Sequence, residues 1–299
     1  MKSIPLILVT GFLGSGKTSF LANYLSAYSK NQKIGIVQNE FAQSNIDSNI
    51  LREDNSKFVL RELDRGSIFC TCLFSSFKDT LVELSEKEDL DVVLVEATGI
   101  ADPIAIAQVM EDERVKRAYY LEKIITLVDS CRFLNVLENI IGVRHQIEVA
   151  DYILINKADL IDQSLSKKII DKIEMINPFA KLIQCSYGKF SPEDLTENDM
   201  KGLVSDNLRG ELTRCGEGNY MSGIFKTSKP VSLDKVNQFL ASLDNYVLRV
   251  KGYIRDSESN CYMIQYVPGQ IQVLPCNHTI GNTELISIGF KEPDFSLLQ

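Results

Sequence analysis

A glycine-rich loop with one lysine and one threonine contains the residues of this chain best suited to chemistry. It covers Gly11–Thr18, follows the pattern G-x-x-x-x-G-K-[ST], and lies between an apolar run, Ile4–Val9, and a helical pattern. Glycines let backbone N–H groups turn toward an anion, and a helix N-terminus adds partial positive charge. We expect Lys17 to contact the β- and γ-phosphates of a nucleotide and Thr18 to ligate Mg²⁺. The predicted phosphate-binding residues are Gly11, Gly14, Ser15, Gly16, Lys17, Thr18 and Ser19.

A second motif, Asn156-Lys157-Ala158-Asp159, follows a predicted strand and has the pattern N-K-x-D. A carboxylate can accept two N–H bonds from guanine, at N1 and the 2-amino group, whereas adenine lacks that donor pair and would leave Asp159 unpaired. We expect the stem of Lys157 to lie along the purine and Asn156 to connect this loop to the glycine-rich loop. Ser186, which follows the last strand of this part of the chain, is predicted to contact the base through backbone amides of 186–188. The motif therefore predicts a guanine nucleotide.

Two acids are candidates for organising Mg²⁺ or the attacking water. Glu96 ends a continuous apolar strand, and Gly99 comes three residues later, where its amide can sense a γ-phosphate. Glu40 follows the second predicted strand and is the second candidate for the same role. The predicted catalytic residues are therefore Lys17, Glu96 and Glu40, with Glu96 also a predicted Mg²⁺ contact.

Cys70 and Cys72 lie directly before a segment with helical spacing of its apolar residues. A helix N-terminus lowers the pKa of a thiol and favours the thiolate, which binds soft metal ions. A closed metal site needs about four ligands, so two thiolates are an incomplete set. The pair is either part of a transition-metal site, for Zn²⁺ or Co²⁺, or two ordinary buried thiols. Cys261, Cys276 and His278 are interpreted as buried thiols and a loop histidine.

Composition narrows the class of protein. The chain has 299 residues, 44% hydrophobic and 24% charged, and its net charge of -8 argues against nucleic acid or an anionic membrane as a partner. No apolar run is long enough to span a bilayer. Seven cysteines, an odd number, in a nucleotide-binding chain indicate thiols in a reducing cytoplasm and not a disulfide framework.

The elements that must position these residues predict an α/β fold. Short apolar strands alternate with helical segments up to about residue 190, which indicates a P-loop NTPase domain with a mostly parallel sheet flanked by helices. Residues 191–219 are polar and are interpreted as a linker. Residues 220–299 contain several strand patterns and one helical pattern, which predicts a small α+β domain.

These motifs together resemble the CobW-like family of GTPases, which are related to HypB and UreG. The resemblance rests on Gly11–Thr18, Asn39-Glu40-Phe41, Glu96-x-x-Gly99 and Asn156–Asp159, and, in the second domain, on Leu248-Arg249-Val250-Lys251-Gly252. It implies a cytoplasmic GTPase that helps to deliver metal or to assemble a metallo- or cobalamin-dependent target protein. We expect its intrinsic turnover to be low, because no residue in the sequence is an obvious arginine finger. The partners that the resemblance implies are GTP or GDP, that target, and a second copy of the chain in a nucleotide-dependent homodimer.

The chain departs from the family pattern where metal is usually bound. Members usually have C-x-C-C after a glycine, but Ser67 and Phe69 occupy two of those three cysteine positions, and Cys70 keeps the third, with Cys72 added. Two functions therefore stay open: a GTPase that carries metal, and a GTPase chaperone or regulator that acts on a metallo- or corrinoid protein without carrying metal itself. An ATPase with the same fold and a module that uses nucleotide as a static structural ligand are the further alternatives.

Overall fold

The computed structural model of the chain describes residues 3–39, 58–63, 74–97, 99, 105–178, 180–196, 221–243, 247–267, 270–276, 280–289, 291 and 293–299. The chain divides into two compact units, Met1–Lys201 and Gly202–Gln299. Within the described part of the first unit, a parallel sheet has seven strands in the spatial order β3-β2-β4-β1-β5-β6-β7. These strands are β1 (Ile4–Thr10), β2 (Ile34–Asn39), β3 (Phe58–Leu63), β4 (Val92–Glu96), β5 (Tyr119–Asp129), β6 (Tyr152–Asn156) and β7 (Lys181–Gln184).

Helices cover both faces of this sheet. They are α1 (Lys17–Tyr28), α2 (Phe74–Lys87), α3 (Ala105–Met110), α4 (Glu113–Ala118), α5 (Phe133–Asn139), α6 (Ile141–Glu148), α7 (Gln163–Ile176) and α8 (Pro192–Thr196). Phe20 and Leu21 of α1 belong to one buried cluster, while Ile147 of α6 and Ile169 of α7 belong to another. Every residue of β4 and of β6 is buried, which is why these strands have continuous apolar sequences instead of alternating ones. The predicted parallel α/β sheet is confirmed.

The longest strand begins earlier than its sequence pattern suggests. The pattern predicts a strand from Lys123, but β5 begins at Tyr119. Tyr119 pairs with Ile4 of β1, and the register between these strands shifts between Leu6 and Ile7. Tyr119 is fully buried, and its hydroxyl donates to the carbonyl oxygen of Leu81 at 2.7 Å. Pairing with β1 and this buried bond, and not local periodicity, extend the strand.

The first residues of the predicted linker belong to the first unit. Helix α8 lies within the range 191–219, and its Leu195 is buried in the same cluster as Phe20. Lys123 Nζ donates to the carbonyl oxygen of Leu195 at 3.1 Å, and the Tyr28 hydroxyl donates to that of Pro192 at 3.3 Å. Leu195 is an apolar residue in a polar stretch, and its burial anchors this stretch to the core. The packed part of the first unit therefore extends beyond residue 190.

The described part of the second unit is an antiparallel sheet of five strands in the order β11-β10-β9-β12-β8. Its elements are β8 (Met221–Thr227), α9 (Leu233–Ser242), β9 (Val247–Arg255), β10 (Cys261–Val267), β11 (Gln270–Cys276), β12 (Thr283–Gly289) and a 3-10 helix, Phe295–Leu298. Ser232 caps α9 by accepting from the amide of Lys235, and Val236 and Phe239 of α9 are buried in the core cluster of this unit. Among the described residues, no helix has both the length and the apolar character needed to cross a bilayer.

Candidate functional site

The glycine-rich loop connects the end of β1 to the first turn of α1, at the edge of the sheet where the parallel strands end. Gly16 directly precedes α1 with a φ of 102°. A Cβ at Gly16 would lie 2.2 Å from Asn156 Nδ2, so the loop and the end of β6 approach each other too closely for a side chain. Ser15 is fully buried, Thr18 is partly buried, and Gly14 and Ser19 are exposed.

Lys17 is buried inside this loop. Its Nζ donates to the carbonyl oxygen of Gly11 at 2.8 Å and to that of Phe12 at 3.5 Å. Burial lowers the pKa of Lys17, and the carboxylate of Glu96 partly opposes this effect. The ammonium is thus held in the concave side of the loop at the N-terminus of α1.

Glu96 ends β4 and lies opposite Val9 of β1, so it is next to the start of the loop. It is buried, and burial raises its pKa, while the charge of Lys17 acts in the opposite direction. Among the described residues, Glu96 Oε2 and Ser15 Oγ meet no hydrogen-bond partner. Buried polar atoms without a partner are rare in folded proteins and costly, since they lose the hydrogen bonds that water would provide.

Gly99 lies against the loop. A Cβ at this position would come within 2.5 Å of the Leu13 amide nitrogen, so Gly99 packs directly on the loop backbone. Gln146 Nε2 of α6 donates to the carbonyl oxygen of Gly99 at 3.3 Å. Gly99 therefore lies between the P-loop, at Leu13, and helix α6, at Gln146.

Asn156, the last residue of β6, connects three segments. Its Nδ2 donates to the carbonyl oxygen of Ser15 at 2.8 Å, and its Oδ1 accepts from the amide of Gly188 at 3.0 Å and from the Cys185 thiol at 3.6 Å. The link between Asn156 and the glycine-rich loop, expected from the sequence, is therefore present. The Gly188 amide, expected to face a base, is instead engaged by Asn156.

Lys157 has a left-handed backbone conformation, with a φ of 61°, which is uncommon for a residue other than glycine. Its Nζ contacts Asp129 Oδ2 at 2.6 Å. Asp129 is not among the site residues that the sequence motifs predict. The signal was present, because Asp129 ends an apolar strand at the same sheet edge as Glu96 and Asn156.

Asp159 lies in a short 3-10 helix, Ala158–Leu160, and is exposed. Its amide donates to Ser186 Oγ at 3.3 Å, so the segment after β7 contacts the base-reading motif through a side chain. The amide of Ala158 donates to the carbonyl oxygen of Cys185 at 3.0 Å. These bonds hold the loop while leaving the Asp159 carboxylate open to solvent.

Three predicted site residues, Glu40, Cys70 and Cys72, lie outside the described residues. Within the described part of the chain, no group of three or more His, Cys, Asp or Glu side chains is arranged to hold a metal ion. Cys261 and Cys276 lie directly opposite each other on β10 and β11, and burial raises the pKa of both thiols, that of Cys261 to about 12. Both are free thiols, Cys261 buried and Cys276 partly buried.

The sheet order, the P-loop between β1 and α1 and the N-K-x-D motif after β6 define a P-loop GTPase fold. A family described as the CobW/HypB/UreG nucleotide-binding domain matches residues 5–184, and one described as the cobalamin synthesis protein CobW C-terminal domain matches residues 220–293. The chain belongs to the CobW/HypB/UreG family. The resemblance inferred from the motifs is thereby confirmed.

Individual relatives agree with this assignment. The zinc-regulated GTPase metalloprotein activator 1 of Schizosaccharomyces pombe is 30% identical over 259 residues, which cover 84% of this chain and 61% of that protein. The zinc chaperone YjiA of Escherichia coli is 26% identical over 282 residues, covering 89% of this chain and 87% of that one. The chain spans 61% of the length of the S. pombe activator and 63% of that of the activator from Dictyostelium discoideum.

Among solved structures, the crystal structure of Zn(II)-bound YjiA GTPase from E. coli matches with a TM-score of 0.66 at 22% sequence identity. The match covers 99% of this chain and 97% of that one. At this identity the comparison shows that the two chains share a fold.

Proposed function

We propose that this chain binds GTP with Mg²⁺ and hydrolyses it slowly. The observation that carries the proposal is the bond from Asn156 Nδ2 to the carbonyl oxygen of Ser15, because it sets the N-K-x-D motif and the P-loop side by side. One loop has the chemistry to hold phosphates and the other has the chemistry to recognise a base. A guanine nucleotide would engage both at once.

The P-loop residues are suited to a triphosphate. Lys17 supplies a buried cation, and the amides of 11–18 and the N-terminus of α1 supply further positive potential. The unpartnered Ser15 Oγ and Glu96 Oε2 are polar atoms that a bound nucleotide and its cation would satisfy. These residues fit Mg²⁺, with Thr18 and Glu96 as the groups that would hold it, and when bound Mg²⁺ neutralises phosphate charge.

Glu96 is the residue that we propose to orient the attacking water, with Glu40 as the second candidate. Glu96 Oε2 is buried and meets no hydrogen-bond partner among the described residues, so it can accept a hydrogen bond from a water molecule at the site. Gly99 would report the γ-phosphate through its contact with the P-loop at Leu13. The motifs recognised in the sequence include no arginine finger, so intrinsic turnover is expected to be low.

Base selection is assigned to Asp159, with Asn156, Lys157 and Ser186 supporting it. The Asp159 carboxylate is exposed on the loop that Asn156 ties to the P-loop, where it can accept from the N1 and 2-amino groups of guanine. ATP lacks these donors, so discrimination should exceed what shape alone provides. The alternative function, an ATPase with the same fold, predicts that ATP binds at least as tightly as GTP.

Two measurements on the full chain test this function. They are the affinities for GTP and ATP, obtained by titration, and the rate at which GTP is converted to GDP. We expect tighter binding of GTP, hydrolysis that requires Mg²⁺, and loss of hydrolysis in Lys17→Ala. The exposed Lys30→Ala is the matched control, because it removes a similar charge elsewhere on the first unit. Equal binding of the two nucleotides would refute the guanine-reading role. Identical protease protection of the chain with GDP and with a non-hydrolysable GTP analogue would favour the static module.

We propose further that GTP turnover serves metal delivery or the assembly of a metallo- or cobalamin-dependent protein in the cytoplasm. Support comes from the family assignment and from relatives whose names are zinc chaperone and metalloprotein activator. Zn²⁺ is the first candidate cargo and Co²⁺ the second, with Cys70 and Cys72 as soft ligands. Two thiolates need water, Glu40 or a second copy of the chain to complete the coordination shell.

The alternative is a GTPase chaperone that acts on its target without carrying metal. The loss of two family cysteines to Ser67 and Phe69 favours it. Zn²⁺ and Co²⁺ titrations of the wild type, in the presence of GDP and of a GTP analogue, separate the two functions when compared with Cys70→Ser/Cys72→Ser and with the exposed control Cys131→Ser. Binding that is lost only in the double variant supports the carrier. Binding unchanged in the double variant supports the chaperone.

The same nucleotide states test the proposed homodimer. Sedimentation of the full chain with the GTP analogue should give a dimer that GDP does not. A monomer in both states would remove a second copy of the chain as a source of metal ligands.

A further inference from the structure

Lys157 has an unusual backbone and a fixed side-chain end. Its φ of 61° and ψ of 32° place it in the left-handed region, where non-glycine residues need support from their surroundings. Its side chain is 34% exposed, and its ammonium contacts the carboxylate of Asp129. A lysine of this exposure would ordinarily sample many rotamers.

The carboxylate of Asp129 provides that fixed point. Its side chain is only 5% exposed, and its two oxygens have separate partners. Asp129 Oδ2 contacts Lys157 Nζ at 2.6 Å, while Oδ1 accepts from the amide of Cys131 at 3.0 Å. The bond from the Cys131 amide to Oδ1 therefore restrains the carboxylate that Lys157 contacts.

The neighbouring Ser130 supports the backbone of the same turn. Its amide donates to the carbonyl oxygen of Asn156 at 3.1 Å. Its hydroxyl lies 2.7 Å from that oxygen and 2.9 Å from the carbonyl oxygen of Lys157. The end of β5 therefore holds the turn after β6 at the backbone through Ser130 and at the side chain through Asp129.

We propose that Asp129 is a positioning residue for guanine-nucleotide affinity: it sets the side chain of Lys157 before the base arrives. The inference rests on the proposed GTP function. A stem that is already ordered loses less conformational entropy when it packs along a purine, so the base binds more tightly. This gain in binding free energy comes from contacts with the nucleoside part of the ligand. The affinity for the phosphate part should therefore stay the same.

The neutral variant Asp129→Asn isolates this effect. The amide oxygen can still accept from Cys131, but the charge that holds Lys157 is gone. We expect the Kd for GDP to rise by up to about tenfold, which corresponds to the cost of ordering one flexible side chain on binding, while the Kd for inorganic pyrophosphate stays the same. A variant that only damages the fold would weaken both ligands. Asp129→Glu keeps the charge and should bind GDP more tightly than Asp129→Asn, which provides a second readout if the latter unfolds.

A double-mutant cycle with Lys157→Met separates positioning from a structural role. Lys157→Met keeps a long stem but removes the ammonium, so adding Asp129→Asn should cause no further loss of GDP affinity. Asp151→Asn is the matched control, because Asp151 is a buried carboxylate that accepts from the amide of Ile124 at 2.7 Å, before the start of β6. Asp151→Asn is expected to lower the free energy of unfolding without changing the ratio of the Kd for GDP to the Kd for pyrophosphate.

The experiment uses the full chain and distinguishes two failures. If the wild type binds pyrophosphate but shows no preference for GDP over ADP, the proposed guanine function is wrong and this inference falls with it. If the wild type prefers GDP, and Asp129→Asn either binds GDP like the wild type, weakens GDP and pyrophosphate equally, or adds its full effect to Lys157→Met, the positioning role alone is overturned.

Discussion

Asn156 Nδ2 donates to the carbonyl oxygen of Ser15 at 2.8 Å, across a sequence separation of 141 residues. On its other side, Asn156 Oδ1 accepts from the Gly188 amide at 3.0 Å. One buried amide side chain thus joins the P-loop, the N-K-x-D turn and the segment after β7. The geometry of the whole site depends on this residue.

Asn156→Ala should therefore weaken both folding and nucleotide binding. The change leaves the Ser15 carbonyl and the Gly188 amide without their partner, which costs about 1–3 kcal/mol of unfolding free energy. Urea unfolding and GDP titration measure the two effects. Asn139→Ala is the control, since Asn139 makes a similar bond to the Asn135 carbonyl on the exposed face of α5. Unchanged GDP affinity in Asn156→Ala would show that the two loops are positioned independently.

Asp159→Asn should change which base is bound. The amide offers one donor and one acceptor where guanine requires two acceptors, so GTP affinity should fall by at least about tenfold. Xanthine has an oxygen in place of the 2-amino group, so the affinity for XTP should rise in the variant. Competition of GTP, XTP and ATP against a fluorescent GDP checks this prediction. Asp162→Asn, at the N-terminus of α7, serves as a nearby acidic control. An equal loss of affinity for GTP, XTP and ATP would contradict the prediction.

The buried charges of Lys17 and Glu96 should lower the free energy of unfolding, although the proposed hydrolysis requires both residues. Burial is the larger cause of both pKa shifts, lowering that of Lys17 and raising that of Glu96, and their mutual attraction does not fully offset it. Lys17→Met/Glu96→Gln should therefore be as stable as the wild type or more stable, by up to about 4 kcal/mol, while hydrolysis is abolished. Urea unfolding at pH 7 measures the difference. A large loss of stability would mean that the pair holds the fold together.

The pH dependence of this effect has a definite sign. A carboxyl whose pKa is raised by folding contributes stability below its ordinary value of 4.5, and that contribution is lost as the pH rises through the folded pKa. The advantage of Lys17→Met/Glu96→Gln over Lys17→Met alone should thus be small below about pH 4 and grow toward pH 7. Unfolding of the two variants across this range measures it. A constant difference would rule out titration of Glu96 as the cause.

Gly99→Ala should disturb the P-loop although it adds only one methyl group. The new Cβ would lie 2.5 Å from the Leu13 amide nitrogen, so the P-loop or the chain after β4 must shift. We expect GTP hydrolysis to fall at least about tenfold, as misplacement of the reacting groups predicts. Gly281→Ala is the control, because a Cβ there meets nothing within 4 Å. Hydrolysis at the wild-type rate would show that the contact is not used in the reaction.

Cysteine reactivity should follow burial. Cys185 and Cys261 have pKa values raised to about 11 and about 12 by burial, and the pKa of Cys276 is also raised, so few thiolates form at pH 8. Of the described cysteines, the exposed Cys131 should be alkylated first by iodoacetamide. Peptide mapping over time at pH 8 and pH 10 checks the order. Rapid labelling of Cys261 at pH 8 would show that its strand pair opens readily.

The parts of the site that are contiguous in sequence could be predicted without coordinates. The glycine spacing of 11–18 and the N-K-x-D pattern of 156–159 each contain their own chemistry, and continuous apolar runs indicate strands of a buried parallel sheet. The family resemblance and the α/β class follow from these local signals, and both are confirmed. The hydrogen-bonding groups of a motif and the periodicity of its apolar residues depend on residues that are neighbours in the chain. The sequence alone therefore determined them.

The contacts that assemble the site were decided by the tertiary structure. Strand order places Glu96 beside the P-loop and Asp129 beside Lys157, and neither relation follows from the spacing of these residues in the chain. Tyr119 extends β5 because it pairs with Ile4 of β1. Leu195 belongs to the first unit, although it lies at the start of the predicted linker, because it is buried in the core cluster that contains Phe20. Strand register and burial depend on contacts between segments that are far apart in the sequence. Burial in turn decides which charged side chains lose their hydration and have shifted pKa values.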